Sequence, residues 1–251
     1  MDNIKFDWKE VFEPNDYLYF YSDAIKDEVT EKQISFIVKE LNITEKKRIL
    51  DIPCGFGRHS NKLGLLGHEV VGVDFIKEFL EMGENEAKKL SINVKYILKD
   101  MREIDFDNEF DIAICIFTSF GYFEDDENMK VLRNISKALK VGGLFFLDLI
   151  NRDYIVKNLL PYMVLEKGDD LLIERNRFDI FTSRVYNERL IYRNGKMRRT
   201  PYYVRLYSYT EIKNMFESVS LKIIKSFGDF SGNPLNINSP RMIVIGEKIN
   251  I

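Results

Sequence analysis

The chain has 251 residues and a mass of 29.6 kDa, so it can form one large α/β domain or a domain with an insertion, and it can bury a substantial core. With 45% hydrophobic and 31% charged residues, its composition is that of an ordinary soluble globular protein. The net charge of −3 argues against a general nucleic-acid binder, because such proteins usually carry a basic surplus.

The two cysteines and the lengths of the apolar runs indicate the cellular compartment of the protein. Cys54 and Cys115 are expected to be free thiols, and neither has a histidine or a second cysteine at zinc spacing, so no metal site is expected. No apolar run reaches 18 residues and we recognise no signal peptide. These observations predict a cytoplasmic protein without a membrane span.

The first 21 residues are rich in aromatic side chains, ahead of any clear core strand. They include Phe6, Trp8, Phe12, Tyr17, Tyr19, Phe20 and Tyr21. Two interpretations stay open: a helix that packs on the domain, or a lid within residues 1–30 whose rings close over a ligand. Residues 30–41 follow with apolar side chains at helical spacing, which predicts a helix that faces the core.

The pattern of the next stretch, up to Asp74, predicts a strand, a glycine turn, a helix and a second strand that ends in an acidic residue. Residues 48–52 are typical of a buried parallel strand, and Gly55 and Gly57 follow in a turn where backbone can approach a ligand. A helix beginning there would direct free N–H groups at an anion, while Asp74 could accept both hydroxyls of a ribose. Ser60 stands where the dinucleotide pattern has its third glycine. The motif alone therefore leaves two readings, a nucleoside-cofactor site and an ordinary tight turn.

Strands and helices continue to alternate up to residue 150. Further strands are predicted at residues 93–98, 110–117 and 144–150, and a helix at residues 126–140 that stops at Gly142-Gly143, a C-cap signal. Such alternation predicts a doubly wound parallel sheet whose ligand site lies at the carboxyl ends of the strands.

The alternation breaks after residue 150. From about residue 171 to 207, polar and apolar residues alternate as in antiparallel strands, with Asn194-Gly195 as a hairpin turn and a second turn around residues 178–182. We therefore predict an antiparallel β insertion at residues 151–205. It holds 12 Lys and Arg against 7 Asp and Glu, a net charge of +5 that leaves −8 for the rest. This surplus is either a solvated basic face or a surface that attracts an anionic substrate.

The α/β pattern resumes in the last part of the chain. A helix is predicted at residues 208–219, a strand at 221–228 and a final strand at 241–247. The core would then consist of residues 1–150 and 206–251, with residues 151–205 as a substrate lid.

Several motifs together carry a family resemblance. They are Asp51-Ile-Pro-Cys-Gly-Phe-Gly-Arg-His-Ser, Val-Gly-Val-Asp74, Asp100-Met-Arg, Phe110-Asp, Phe117-Thr-Ser-Phe-Gly-Tyr-Phe, Leu139-Lys-Val-Gly-Gly, Asp148-Leu-Ile-Asn-Arg-Asp and Gly228-Asp-Phe-Ser-Gly-Asn-Pro. Over nearly the whole chain this resembles the class I S-adenosylmethionine-dependent methyltransferases, in a small-molecule-type branch; sugar N,N-dimethyltransferases are similar more distantly. The resemblance implies a Rossmann-like seven-stranded sheet with the last strand antiparallel, and S-adenosyl-L-methionine as cofactor.

The resemblance also implies cofactor contacts at the strand ends. Asp51 and the turn of Gly55 and Gly57 would border the methionine part of the cofactor, and the carbonyl of Phe117 would lie near its amine. Asp74 would bind the ribose, with Phe75 beside it. Asp100 and the backbone of Met101 would bind the adenine edge. Pro53 stands where relatives more often have a small residue, which bears on the local turn geometry.

Methyl transfer from a sulfonium is an in-line displacement, so much of the acceleration can come from positioning and from excluding water. A neutral amine needs no base, whereas a hydroxyl does. The candidates near the pocket mouth are Tyr21, His59, Tyr122, Asn151 and Asp153, and packing or positioning is an alternative role for each of them.

The hypothesis from the sequence is a methyltransferase acting on N or O of a small metabolite, with an anionic metabolite one option. The run Phe117-Thr-Ser-Phe replaces the Pro-Pro-aromatic motif of adenine or glutamine N-methylation, so a nucleic-acid acceptor is not expected. A cofactor-binding protein without turnover, such as a sensor or assembly factor, is the alternative. A nicotinamide dehydrogenase is disfavoured by Ser60 and by the antiparallel ending.

Overall fold

The computed structural model describes residues 7–250, so Phe6 of the aromatic N-terminal segment lies outside the described residues. The helices are α1 Trp8–Val11, α2 Pro14–Phe20, α3 Asp27–Glu40, α4 Arg58–Leu65, α5 Lys77–Leu90, α6 Asp125–Ala138, α7 Arg152–Asn158 and α8 Tyr209–Glu217. The strands are β1 Arg48–Asp51, β2 Glu69–Asp74, β3 Val94–Leu98, β4 Phe110–Cys115, β5 Leu139–Ile150, β6 Tyr162–Lys167, β7 Asp170–Asp179, β8 Arg184–Arg193, β9 Lys196–Arg199, β10 Tyr202–Arg205, β11 Leu221–Phe227 and β12 Arg241–Lys248.

Seven strands form the main sheet, in the order β11-β12-β5-β4-β1-β2-β3. Strands β1 to β5 are parallel, whereas β12 runs antiparallel to both β11 and β5. The predicted doubly wound sheet with an antiparallel last strand is confirmed. Strand order reverses between β1 and β4, and in open α/β sheets the ligand crevice lies outside such a switch point.

Both faces of this sheet are covered, which explains the unbroken apolar character of its strands. Leu50, Ala113 and Phe145 belong to one core cluster, and their chain neighbours Ile49 and Ile112 belong to the other. Successive side chains of a strand point to opposite faces, so an alternating pattern would have left charge in one of the two cores. None of the helices in the described part of the chain is long and apolar enough to cross a bilayer.

The predicted C-cap at Gly142-Gly143 is wrong. Helix α6 ends at Ala138 and the chain passes directly into β5, so both glycines lie within that strand. They are needed there because Gly142 has a φ of +78°, and a Cβ on Gly143 would come within 2.7 Å of the Lys140 carbonyl oxygen. The glycines mark an irregular strand start beside β4 rather than a helix end.

The insertion forms a second, antiparallel sheet in the order β10-β8-β7-β6, with β9 also paired to β8. The Asn194-Gly195 hairpin is confirmed, since Arg193 pairs with Lys196 across it. The sheet begins earlier than expected. Its first strand, β6, was missed because the run Tyr162 to Leu165 lacks the polar alternation of a half-buried strand.

The basic side chains of the insertion are largely used to attach it to the rest of the chain. Arg193 pairs with Asp16 at 2.8 Å, and Arg198 pairs with both Asp16 and Glu10. Arg184 reaches Glu124 at 2.6 Å, at the start of α6. The +5 surplus therefore matches acidic groups of the N-terminal helices and of the core, and it does not by itself support an anionic acceptor.

One ion pair of the insertion is buried. Arg189 and Glu174 are 5% and 7% exposed, and two guanidinium nitrogens lie 2.8 and 3.0 Å from Glu174 Oε1. Arg189 also donates to the hydroxyls of Tyr21 and Tyr202 and to the Val11 carbonyl. Arg189 thus connects the inserted sheet to α1 and to the end of α2.

Replacing Glu174 with glutamine should leave the Arg189 cation buried without a counter-charge. We expect the free energy of unfolding in urea to fall by about 3–5 kcal/mol, as is usual when one partner of a buried pair is removed. The matched control is Glu188→Gln, whose partner Arg175 lies 3.9 Å away with both side chains more than half exposed. The control should change stability by less than about 0.5 kcal/mol. Equal losses in the two variants would contradict the buried-pair account.

Candidate functional site

A pocket lies at the carboxyl ends of β1, β2 and β4, where the fold predicts one. It offers a space of about 990 Å³ between protein atoms, part of it open to solvent. Predicted site residues that line it are Asp51, Gly55, His59, Asp74, Phe75, Asp100, Met101, Phe117 and Tyr122. Four others, Gly57, Tyr21, Asn151 and Asp153, are not among the residues that line it.

The glycine turn is held by the acid at the end of β2. Asp74 accepts the Gly55 N–H at 2.8 Å and the Ile76 N–H at 2.9 Å, so it links the turn after β1 to the turn after β2. Gly57 is the N-cap residue that precedes α4. It has a φ of +78°, and a Cβ there would clash with the Tyr96 hydroxyl. The Ile52–Pro53 peptide bond is cis.

Asp51 is fully buried at the end of β1. It accepts a 2.6 Å hydrogen bond from the hydroxyl of Ser60, the residue that occupies the third glycine position of the dinucleotide pattern. Burial raises the pKa of Asp51 to about 7, although the Ser60 bond and the charge of Arg58 lower it. An ammonium placed against this carboxyl would favour its ionised form.

Asp74 keeps acceptor capacity. Each of its oxygens accepts one N–H bond, and a carboxylate has about four lone-pair sites. Burial raises the pKa of Asp74, against the lowering effect of those backbone bonds. A diol could therefore bind to the remaining lone pairs.

The carboxylate of Asp100, unlike that of Asp74, is already occupied by hydrogen bonds from a neighbouring side chain. Arg102 makes four N–H contacts of 2.7–3.2 Å to its two carboxylate oxygens, through the backbone N–H and the guanidinium. Burial acts to raise the pKa of Asp100, but the bonds to Arg102 outweigh it and the pKa is lowered. Little lone-pair capacity is left for the adenine contact predicted from the sequence.

The backbone after β4 adopts an unusual conformation. Phe117 and Thr118 both have a φ near +60°, which is rare for residues other than glycine. Asp148 accepts the Phe117 N–H at 2.9 Å, and Arg241 links the Asp148 carboxylate to the Thr118 hydroxyl. Asp148 of β5 and Arg241 of β12 thus hold the turn at Phe117.

Arg58 is a pocket residue that the sequence analysis did not identify. Its Nη1 donates to Thr30 and Gln33 of α3, and its guanidinium lies 5.2 Å from the centre of the Phe117 ring. Its Nη2 is buried and has no hydrogen-bond partner. A buried donor without a partner is costly unless a ligand accepts from it. The only sequence signal was an arginine at the first helical position after the glycine turn.

An aromatic wall closes the pocket on the side of the N-terminal helices. Trp8 of α1 and Phe12, the C-cap residue of α1, contact Tyr122 at ring-centroid distances of 5.2 and 5.4 Å, and Trp8 also contacts Phe123. Tyr17 of α2 continues this wall. Burial raises the pKa of both Tyr17 and Tyr122, so their phenols stay protonated at neutral pH.

The remaining candidates have structural partners. His59 is buried, and its Nε2 forms a hydrogen bond with the side-chain oxygen Oε1 of Gln33; burial lowers the pKa of His59 well below the usual range. The Tyr21 hydroxyl accepts from Arg189. Asn151 caps α7 and donates to the carbonyls of Asn236 and Ser239, while Asp153 pairs with Arg152 at the surface.

Residues 49–143 match the family model described as a methyltransferase domain. The chain is 31% identical over 133 residues to a putative methyltransferase, YqeM, of Bacillus subtilis, over 52% of this chain and 53% of that protein. It is 32% identical over 117 residues to the ubiquinone biosynthesis O-methyltransferase of Coxiella burnetii, over 46% and 49%. The chain thus matches about half the length of these curated relatives.

The fold is shared with solved structures over nearly the whole chain. An S-adenosylmethionine-dependent methyltransferase from Clostridium acetobutylicum superposes with a TM-score of 0.80 at 21% identity, over 94% of this chain and 99% of that one. The sugar N-methyltransferase KedS8 of Streptoalloteichus superposes with a TM-score of 0.67 at 16% identity, over 100% and 96%. The chain therefore matches a methyltransferase domain over residues 49–143, and over nearly its whole length it shares its fold with a solved S-adenosylmethionine-dependent methyltransferase.

Proposed function

We propose that the protein binds S-adenosyl-L-methionine in this pocket and transfers its methyl group to a small-molecule acceptor. The observation that carries the proposal is that one pocket is lined by Asp51, Asp74 and Arg58, whose buried Nη2 has no hydrogen-bond partner. The cofactor presents an ammonium, a ribose diol and a carboxylate, which are the chemical complements of these three groups.

Each of the three groups has an assigned role in this proposal. Asp51 binds the ammonium, because a buried carboxyl with one hydroxyl donor can still accept from a cation. Asp74 binds the ribose hydroxyls. Arg58 binds the carboxylate through Nη2, with help from the N-terminus of α4, where Arg58 is the first residue.

The adenine ring is assigned to the space between Phe75 and Met101, both of which line the pocket. Because Arg102 occupies the Asp100 carboxylate, we assign the polar contacts of the ring to the backbone at Met101. Asp100 then acts by holding Arg102, which also pairs with Glu127 of α6.

We propose that the acceptor lies against the aromatic wall, covered by α1, α2 and the inserted sheet. These parts are joined by Arg189, Arg193 and Arg198 of the insertion, which bind α1 and α2. Such a cover excludes water and positions the acceptor in line with the methyl group, about 3 Å away. The bound cofactor supplies an electrophilic methyl group on a sulfonium.

A nitrogen acceptor is favoured over a hydroxyl. Among the described residues that line the pocket, Asp51 and Asp74 are assigned to the cofactor, and the imidazole of His59 is bound to Gln33. The phenols of Tyr17 and Tyr122 have raised pKa values, so they suit donation to the acceptor rather than proton removal. An amine that arrives neutral needs no base for the transfer.

Two ligands related to the cofactor, one with and one without the amino-acid part, can separate the roles of Asp74 and Arg58. Measured by calorimetry, Asp74→Ala should lower the affinity for both S-adenosylhomocysteine and 5′-methylthioadenosine by about 10- to 100-fold, since both ligands carry the ribose. Arg58→Met should weaken S-adenosylhomocysteine to a similar degree but leave methylthioadenosine, which has no carboxylate, within about twofold. Glu78→Ala, an exposed acid on α5, is the control. Equal losses of both ligands in Arg58→Met would contradict the carboxylate assignment.

The affinity for S-adenosylhomocysteine should depend on pH through Asp51. Below pH 7 the Asp51 carboxyl is protonated, so an incoming ammonium must displace its proton. Affinity should therefore fall with decreasing pH below about 7, by at most about tenfold per unit, and level off above it. Titrations between pH 5.5 and 8.5 test this, and Asp51→Asn should flatten the profile. A wild-type profile that rises towards low pH would contradict the assignment.

Methyl transfer itself can be tested with labelled S-adenosylmethionine and a pool of amines with their matched alcohols. We expect label in N-methyl products only, with a rate that increases as the amine loses its proton. Tyr122→Phe should lower this rate, whereas Tyr192→Phe, on an exposed face of the insertion, should not. O-methyl products would overturn the nitrogen assignment. Cofactor binding without any methylated product would favour the non-catalytic alternative.

A further inference from the structure

Strand β6 forms an edge of the inserted sheet and is exposed along almost its whole length. Tyr162, Met163, Val164 and Leu165 are 67, 40, 50 and 36% exposed, so apolar side chains are open to solvent on both faces of the strand. Its six residues pair with β7 in a regular ladder without a bulge. The opposite edge of β6 presents a row of backbone groups to the outside.

The other sheet edges in the described part of the chain carry the usual protection against pairing. Strand β11 has a bulge next to Lys225 and also carries Lys222. Strand β3 has an exposed lysine at its second position, and the sequence of β9 is Lys-Met-Arg-Arg. In β10, Tyr203 and Val204 are buried. Charges, bulges and covers are the devices by which proteins prevent edge-to-edge association. Strand β6 has none of them between Tyr162 and Leu165.

The ladder determines which groups of β6 point outwards. The Asn176 N–H donates to the Pro161 carbonyl, and these two residues lie opposite each other in the register. Hydrogen-bonded pairs alternate along antiparallel strands, so residues 163, 165 and 167 bond to β7. The backbone groups of Tyr162, Val164 and Glu166 therefore point away from β7, in a set that is symmetric about Val164.

We infer that β6 is a dimerisation strand, which pairs antiparallel with β6 of a second copy of this chain about a two-fold axis at Val164. Symmetry places each Val164 opposite the other, with Tyr162 opposite Glu166 of the other copy. Met163 lies opposite Leu165 on the other face. The two inserted sheets become one continuous sheet across the dimer.

This register suits a second copy of the chain rather than an unrelated strand. A two-fold interface must be self-complementary, and here every outward-pointing residue meets another outward-pointing residue. The apolar side chains pair with each other, and each Glu166 faces a tyrosine rather than another carboxylate, so like charges stay apart. The inference rests on the inserted sheet alone and does not depend on the proposed methyl transfer.

A cysteine at Val164 gives a direct test, because both native cysteines are buried. Opposite residues of a hydrogen-bonded antiparallel pair have Cα atoms about 5.5 Å apart, which is within disulfide reach. Mild oxidation of dilute Val164→Cys protein should yield a disulfide-linked dimer in most of the material. Phe181→Cys, at a hairpin tip that is 91% exposed, is the control and should remain largely uncrosslinked. Equal crosslinking of the two variants, or none at Val164, would overturn the inference.

Light scattering and sedimentation of the full chain complete the test. The wild type at tens of micromolar should have twice the 29.6 kDa chain mass. Val164→Pro removes only an outward N–H and should give a folded monomer, while Val164→Thr should remain a dimer. Val164→Lys serves as a second disrupting variant if the proline variant fails to fold. A monomeric wild type, or a dimer that persists in both the proline and lysine variants, overturns the inference.

Discussion

Carboxylates buried at the ends of strands are the constraint on which the site depends. A buried charge is stable only when other groups pair with it. Asp51 therefore takes the Ser60 hydroxyl, and Asp74 takes two backbone N–H groups from two different turns. Asp148 takes the Phe117 N–H together with Arg241. The bonds that satisfy these acids also shape the loops above β1, β2 and β4, so the groups that could hold a ligand are the ones that build the pocket.

The inserted sheet follows a related electrostatic rule at its contact with the N-terminal helices. Helices as short as α1 and α2 are not stable alone, so their position depends on what they pack against. The insertion provides Arg193 and Arg198 for Glu10 and Asp16, and it buries a third arginine, Arg189, against a backbone carbonyl of α1. The aromatic wall over the pocket is therefore held from outside the core domain. A change in the insertion would reach the pocket through these helices rather than through the main sheet.

Much of the fold could be predicted from the sequence, because strand burial on both faces and the glycine turn leave local signals. The strand end at Asp74 and the hairpin at Asn194-Gly195 belong to this class. What escaped prediction depends on contacts that are remote in sequence or specific in geometry. Whether Arg58 keeps an unpartnered nitrogen depends on α3, and the bonding of Arg102 to Asp100 depends on a side-chain conformation. Strand β6 was missed because an edge strand that is apolar on both faces has no alternation to detect.

The pocket without a ligand contains polar groups that a zwitterion would satisfy. Arg58 keeps one buried donor free, and burial raises the pKa of Asp51 to about 7, so the two groups are poorly satisfied on their own. A ligand with a carboxylate and an ammonium on one carbon would neutralise both at once. Because such a ligand binds only the folded chain, it stabilises the chain by an amount that grows with the ratio of ligand concentration to Kd. By placing an ammonium against the buried carboxyl, the same ligand would also restore the charge of Asp51.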